Sequence, residues 1–171
     1  MRGTLVRFAL AVILVALSGS AALAAAPAPW SPLTTSNFEL PAGTRCDFTL
    51  RGEVLEGKEQ IRTLETFADG SPHVQEIVGQ LVVRYTNVET GESVDRNLTG
   101  TAYIVFEPDG SFTLSLVGGH MAVGFSATDP EGPSFLIFRG AGHEVHFATD
   151  GSRTVTFGKG TVEDICQTLA A

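Results

Sequence analysis

Phe112-Thr113-Leu114-Ser115-Leu116 and, across the pair Gly118-Gly119, Met121-Ala122-Val123-Gly124-Phe125 decide the fold class. Large apolar residues alternate with small or polar ones, the period of a half-buried strand, because successive side chains on a strand point to opposite faces. The alternation recurs in both directions along the chain. Cys46, Phe48 and Leu50 alternate with Asp47, Thr49 and Arg51. Ile77, Leu81, Val83 and Tyr85 share one face, with Glu76, Gln80 and Arg84 on the other. His143, Val145 and Phe147, then Val155 and Phe157, repeat it. Turn chemistry separates these runs at Asp69-Gly70-Ser71-Pro72, Thr90-Gly91, Pro108-Asp109-Gly110, Asp129–Pro133 and Asp150-Gly151. Short connections favour antiparallel neighbours. The expectation is an all-β fold, an antiparallel meander of about eight strands. A closed barrel is preferred because closure removes exposed edges; a sandwich stays open as the alternative. Thr101 to Phe106 is apolar on both faces, as a barrel wall covered from outside would be.

One helix is expected, at the end of the chain. Thr161 and Asp164 form a capping-box-like start, and Val162, Ile165, Cys166 and Leu169 fall on one helical face. The N-terminus carries a different signal. Arg2 and Arg7 precede the apolar run Phe8–Leu17, and Ala22-Leu23-Ala24 and Ala24-Ala25-Ala26 both fit a signal-peptidase site. Residues 1–26 therefore read as a secretory signal peptide cleaved near Ala24 or Ala26. The mature chain from Pro27 loses two arginines and no acid, which takes the net charge from −8 to −10. Residues 27–44 read as a Pro-rich extended leader without regular structure, and 45–171 as the β-barrel domain with its C-terminal helix. The expected location is secreted, with no membrane span in the mature chain.

Cys46 and Cys166 are the only cysteines. In an exported chain a disulfide is their natural state; the C-x-x-C spacing of a redox pair is absent. The acidic balance excludes a nucleic-acid partner, which needs a basic footprint. No nucleophile elbow, phosphate loop or dinucleotide fingerprint occurs, so no catalytic residue and no cofactor is assigned. His143-Glu144-Val145-His146 resembles a metal motif, but residues three apart on a strand face opposite ways; no metal is assigned, and these histidines read as surface or rim groups. The Asp129–Glu131 turn lacks the order of a dedicated calcium loop. His120, after a glycine pair that suggests a bulge at a rim, is the leading ligand-binding candidate. Arg139, Tyr85, Tyr103 and Arg84 are the other groups that could hold a ligand's polar end.

Cys46-Asp47-Phe48, Asn97-Leu98-Thr99-Gly100 and Asp164-Ile165-Cys166 resemble segments of uncharacterised small secreted actinobacterial proteins. That resemblance implies an eight-stranded barrel similar to the allene-oxide-cyclase or dirigent type, which holds an apolar ligand. Three functions follow as expectations. The first is a secreted barrel that binds a small apolar molecule. The second is an extracellular or envelope interaction protein whose partner is unknown. The third is an isomerase- or cyclase-like enzyme.

Overall fold

A computed structural model of the chain describes residues 27–170; the expected signal peptide, residues 1–26, lies outside the described residues. The elements are β1 (Ser31–Leu33), β2 (Phe38–Leu40), β3 (Leu50–Thr66), β4 (Pro72–Asn87), β5 (Ser93–Asn97), β6 (Gly100–Phe106), β7 (Phe112–Phe125), β8 (Ser134–Ala141), β9 (Glu144–Phe147), β10 (Arg153–Thr156), β11 (Lys159–Asp164) and α1 (Ile165–Thr168). All pairings are antiparallel, in the order β1-β3-β4-β6-β7-β8-β11, with β2 on β3, β5 on β4 and β9 between β7 and β10.

Several short strands are halves of longer ones. β5 and β6 hold one register along β4, from Thr86↔Ser93 to Val74↔Val105. β8 and β9 do so along β7, from Phe125↔Ser134 to Phe112↔Phe147. β10 and β11 then follow β9 and β8. Each breaks near its middle, and the breaks line up. Gly79↔Gly100, Gly100↔Gly119, Gly119↔Gly140 and Gly140↔Gly160 are successive cross-strand partners, a glycine seam across five strands. At Gly119 φ is +96°, and an added Cβ would collide with the Thr99 carbonyl and approach the Gly100 Cα to 2.7 Å. Only glycine accepts both conditions, and such kinks are how a long sheet folds back on itself. The bulge expected beside the glycine pair is present one residue earlier: Thr101 pairs Gly118 and Ala102 pairs Leu116, so Val117 is the extra residue.

Folding at the seam gives two cores. One gathers Leu50, Leu81, Val83, Tyr85, Phe135, Ile137, Ile165 and Leu169. The other gathers Leu116, Met121, Val123, Phe125, Phe138 and Val145. Neighbours on β8 belong to different cores, so this strand is buried on both faces. Its sequence Phe135-Leu136-Ile137-Phe138 is accordingly a continuous apolar run rather than an alternation. Three hairpins share one turn chemistry: in Asp69-Gly70-Ser71, Asp109-Gly110-Ser111 and Asp150-Gly151-Ser152 the serine N–H donates to the aspartate Oδ1 at 2.9 Å.

Three expectations need correction. The backbone ladder is open: β1 and β11 end the order, and β5 pairs only β4, so the strands do not close a barrel. Side chains bridge part of the gap, with Arg96 Nε of β5 donating to both Glu163 oxygens of β11 at 3.0 and 2.9 Å. The terminal helix is one turn. Lys159–Asp164 is a strand on β8, and Asp164 itself is the N-cap, its Oδ1 accepting from the Cys166 N–H at 2.9 Å. Glu163 is held by Arg96 and Arg139, which keeps this segment extended, and Val162 faces solvent. The leader is not structureless: β1 and β2 both pair β3, and Phe38 packs on the first core.

Cys46 and Cys166 form a disulfide with Cα atoms 5.2 Å apart. It ties the turn before β3 to α1, whose Ile165 lies fully buried.

Candidate functional site

A cavity of about 270 Å³ opens beside the seam, between β3, β4, β6, β7, β8 and the leader. Its body is apolar. Leu81 and Val83 come from β4, Ala102 from β6, Met121 and Ala122 from β7. Gly79 and Gly100 contribute backbone alone. One wall is an aromatic trio from three distant segments. Tyr85 lies 5.2 Å from Phe135 and 6.3 Å from Phe38, and Phe38 stacks on Phe135 at 5.8 Å. Phe38 fits because residue 52 is glycine: a Cβ there would run into its ring.

The polar groups are few. Tyr85 is 1% exposed and lines the cavity; its hydroxyl is not one of the fully enclosed polar atoms left without a partner. Burial, and then the charge of Glu163, push its phenol well above the ordinary tyrosine range. His120 follows the seam glycine of β7. Its backbone N–H donates to the Thr99 carbonyl at 3.1 Å, and its Nδ1 lies 3.3 Å from the same oxygen. A carbonyl only accepts, so a neutral His120 ring carries its proton on Nδ1 and leaves Nε2 as an acceptor. At the edge, the Thr35 hydroxyl donates to Glu59. These two residues also line an outer groove of about 400 Å³ between the leader and β3, so their contact separates groove from cavity.

Of the five ligand-binding candidates read from the sequence, the structure brings His120 and Tyr85 into this lining. Arg84 alternates with Val83 and Tyr85 and so faces away; its Nε and Nη2 donate to Asp95 at 2.7 and 2.9 Å. Tyr103 is half-buried on β6, across from Glu76 and Ser115, outside the lining. Arg139 is the cross-strand partner of His120, but its Nη2 donates to Glu163 at 3.1 Å. The hydrogen bond from Arg96, against partial burial, holds the Glu163 carboxyl below the usual glutamate range.

Sequence reasoning missed Phe38, Phe135, Thr35 and Glu59. Phe135 had a signal in the four-residue apolar run; Phe38 had none, being one aromatic in a segment of prolines, serines and threonines. The rim reading of the histidine pair fails for His143, which is 1% exposed. Its Nδ1 accepts from the Gly158 N–H at 3.1 Å, and its Nε2 faces the Arg139 carbonyl at 3.3 Å. Those contacts give both ring nitrogens a partner in the core. His146 Nδ1 instead meets the Thr113 hydroxyl at 3.2 Å. Among the described residues no three His, Cys, Asp or Glu groups gather as metal ligands would. Asp129 does structural work: its carboxylate accepts from the N–H groups of Ser126 and Arg153 at 2.5 and 2.6 Å.

No protein-family model matches the chain, and no curated protein or solved structure matches it.

Proposed function

We propose that the chain is a secreted binding protein whose barrel-like cup holds one small apolar molecule. The cavity beside the seam carries the reading. Apolar pockets with a few placed polar groups are the usual form of small-molecule sites, and this one combines an aromatic wall with Tyr85 and His120. Its volume sets the size. An apolar cavity of ~150 Å³ takes benzene, so about 270 Å³ suits a ligand on the order of ten non-hydrogen atoms. The disulfide supports secretion, since such bridges persist in oxidising compartments. No helix among the described residues is long and apolar enough to cross a membrane.

Native and denaturing mass spectrometry of the protein recovered from its own host's medium tests this. A native mass above the denatured mass by one small molecule is the expected result. A clean apo mass, together with no thermal shift from a panel of single-ring apolar compounds, would refute the proposal. The denatured mass also locates the signal cleavage.

A further inference from the structure

We infer, building on the reading of the cavity as a small-molecule site, that Tyr85 is its specificity-determining residue and that the ligand is an uncharged apolar molecule bearing one hydrogen-bond acceptor, such as a ketone or ether oxygen. Six lining residues are buried: Leu81, Val83, Tyr85, Leu98, Met121 and Phe135. Tyr85 alone among them carries a side-chain N–H or O–H; the half-buried Thr101 of β6 adds a second hydroxyl to the lining. Buried tyrosine hydroxyls usually find a partner, and that of Tyr85 is not among the fully enclosed polar atoms left unpaired; it belongs to a residue of the cavity lining, where an occupant can meet it. The ring cannot swing out to water, because Phe38 and Phe135 pack against it.

The other polar groups narrow the chemistry. With Nδ1–H directed at the Thr99 carbonyl, a neutral His120 offers an acceptor, so it cannot satisfy an acceptor on the ligand. The Thr35 hydroxyl is committed to Glu59. Glu59 places a carboxylate in the same lining, where a ligand carboxylate would meet like charge. Tyr85 stays protonated across the physiological range, so it can donate. A neutral oxygen acceptor on an apolar body matches the Tyr85 donor and brings no charge against Glu59.

The test uses two probes of one shape, acetophenone and α-methylstyrene, in which a ketone oxygen is exchanged for a CH₂ group. Each is titrated by calorimetry into the mature disulfide-bonded chain and into Tyr85→Phe. Removing the donor should weaken acetophenone about fivefold to tenfold relative to α-methylstyrene, the worth of one hydrogen bond. The thermal midpoint of the unliganded protein should not change, because no protein partner is lost. An unchanged ratio of the two affinities overturns the assignment of Tyr85 while leaving the cavity reading intact. A Tyr85→Phe chain that misfolds or melts clearly earlier overturns it too, since the hydroxyl would then have a structural partner. If neither probe binds the unsubstituted protein, the binding function itself fails.

Discussion

Gly118 and Gly119 are adjacent in sequence and opposite in structural demand, so alanine at each tests the seam directly. Gly119 has φ at +96°, and its Cβ would strike the Thr99 carbonyl and the Gly100 Cα, both backbone atoms of the neighbouring stave. Left-handed backbone strains an L-residue by about 1–2 kcal/mol, and forcing a carbon into a packed site adds about 1–3 kcal/mol. Gly119→Ala should therefore lose about 2–5 kcal/mol, a large share of the ~5–15 kcal/mol that holds a domain together. Gly118 has no positive φ and no atom within 4 Å of its would-be Cβ. Gly118→Ala should be neutral, or stabilising by about 0.4–1 kcal/mol through the unfolded chain. Urea unfolding followed by far-ultraviolet circular dichroism measures both. Equal midpoints for the two variants, or a Gly119→Ala loss under about 0.5 kcal/mol, would refute the seam as the device that folds the sheet.

Other substitutions probe the parts that meet at the cavity. Reducing Cys46–Cys166, or replacing both by alanine, opens a loop of 120 residues and should lower stability by about 2–5 kcal/mol in chemical denaturation; no loss would mean the unfolded chain is already compact. Gly52→Ala should push the Phe38 ring off Tyr85 and Phe135, release β2, and make the Thr34–Asn37 segment cleavable by a protease that spares the parent protein. Asp129→Ala leaves a guanidinium, a hydroxyl and two N–H groups without their acceptor and should lose about 3–5 kcal/mol. Burial alone would raise the Asp129 pKa, but its hydrogen bonds outweigh burial and lower it. Its contribution is thus complete above the unfolded value of about 3.9 and is lost as pH falls through the lower folded value. Acid unfolding curves should accordingly be shallower for Asp129→Asn than for the parent.

Where side-chain period alone decides, the sequence was legible. Phe112–Leu116 and Met121–Phe125 are strands because alternation admits no other regular element, and turns fall at the Asp-Gly and Thr-Gly signals. Tyr85 and His120 were within reach for the same reason: the first shares a face with Leu81 and Val83, and the second follows a break that redirects the strand. The alternation puts Arg84 and Tyr85 on opposite faces, and neighbours on a strand cannot both face one cavity, so of these two ligand candidates only one could hold. What alternation does not carry is how far a ladder extends. Whether the sheet closes depends on pairing between residues remote in sequence, such as β5 with the second half of β7, and no local pattern encodes it. The C-terminal stretch reads equally as helix or strand up to Asp164, and pairing to Leu136–Ala141 settles it as strand. Phe38 joins the cavity wall only because Gly52 leaves room beneath it, a contact between segments that neither one announces.

The seam and the cavity share a cause, and filling the cavity separates fold from function. Gly79 and Gly100 are cross-strand partners that put no side chain into the lining, so the feature that lets the sheet fold leaves its interior underfilled. The result is an open pocket of about 270 Å³, where an occupant or a larger side chain would bury apolar surface. Alanine at the seam glycines cannot repair this, because their Cβ atoms would meet neighbouring backbone. Ala102 can: it lines the cavity with its Cβ already in place. Ala102→Leu adds three carbons to that space and should raise stability by about 0.5–2 kcal/mol, the usual gain from filling a void, while weakening any small-molecule ligand at least tenfold. Opposite signs for stability and affinity are the signature of a cavity kept open for an occupant. If Ala102→Leu instead destabilised the chain, the space would already be filled by motion of its own side chains, and the case for a ligand there would fall.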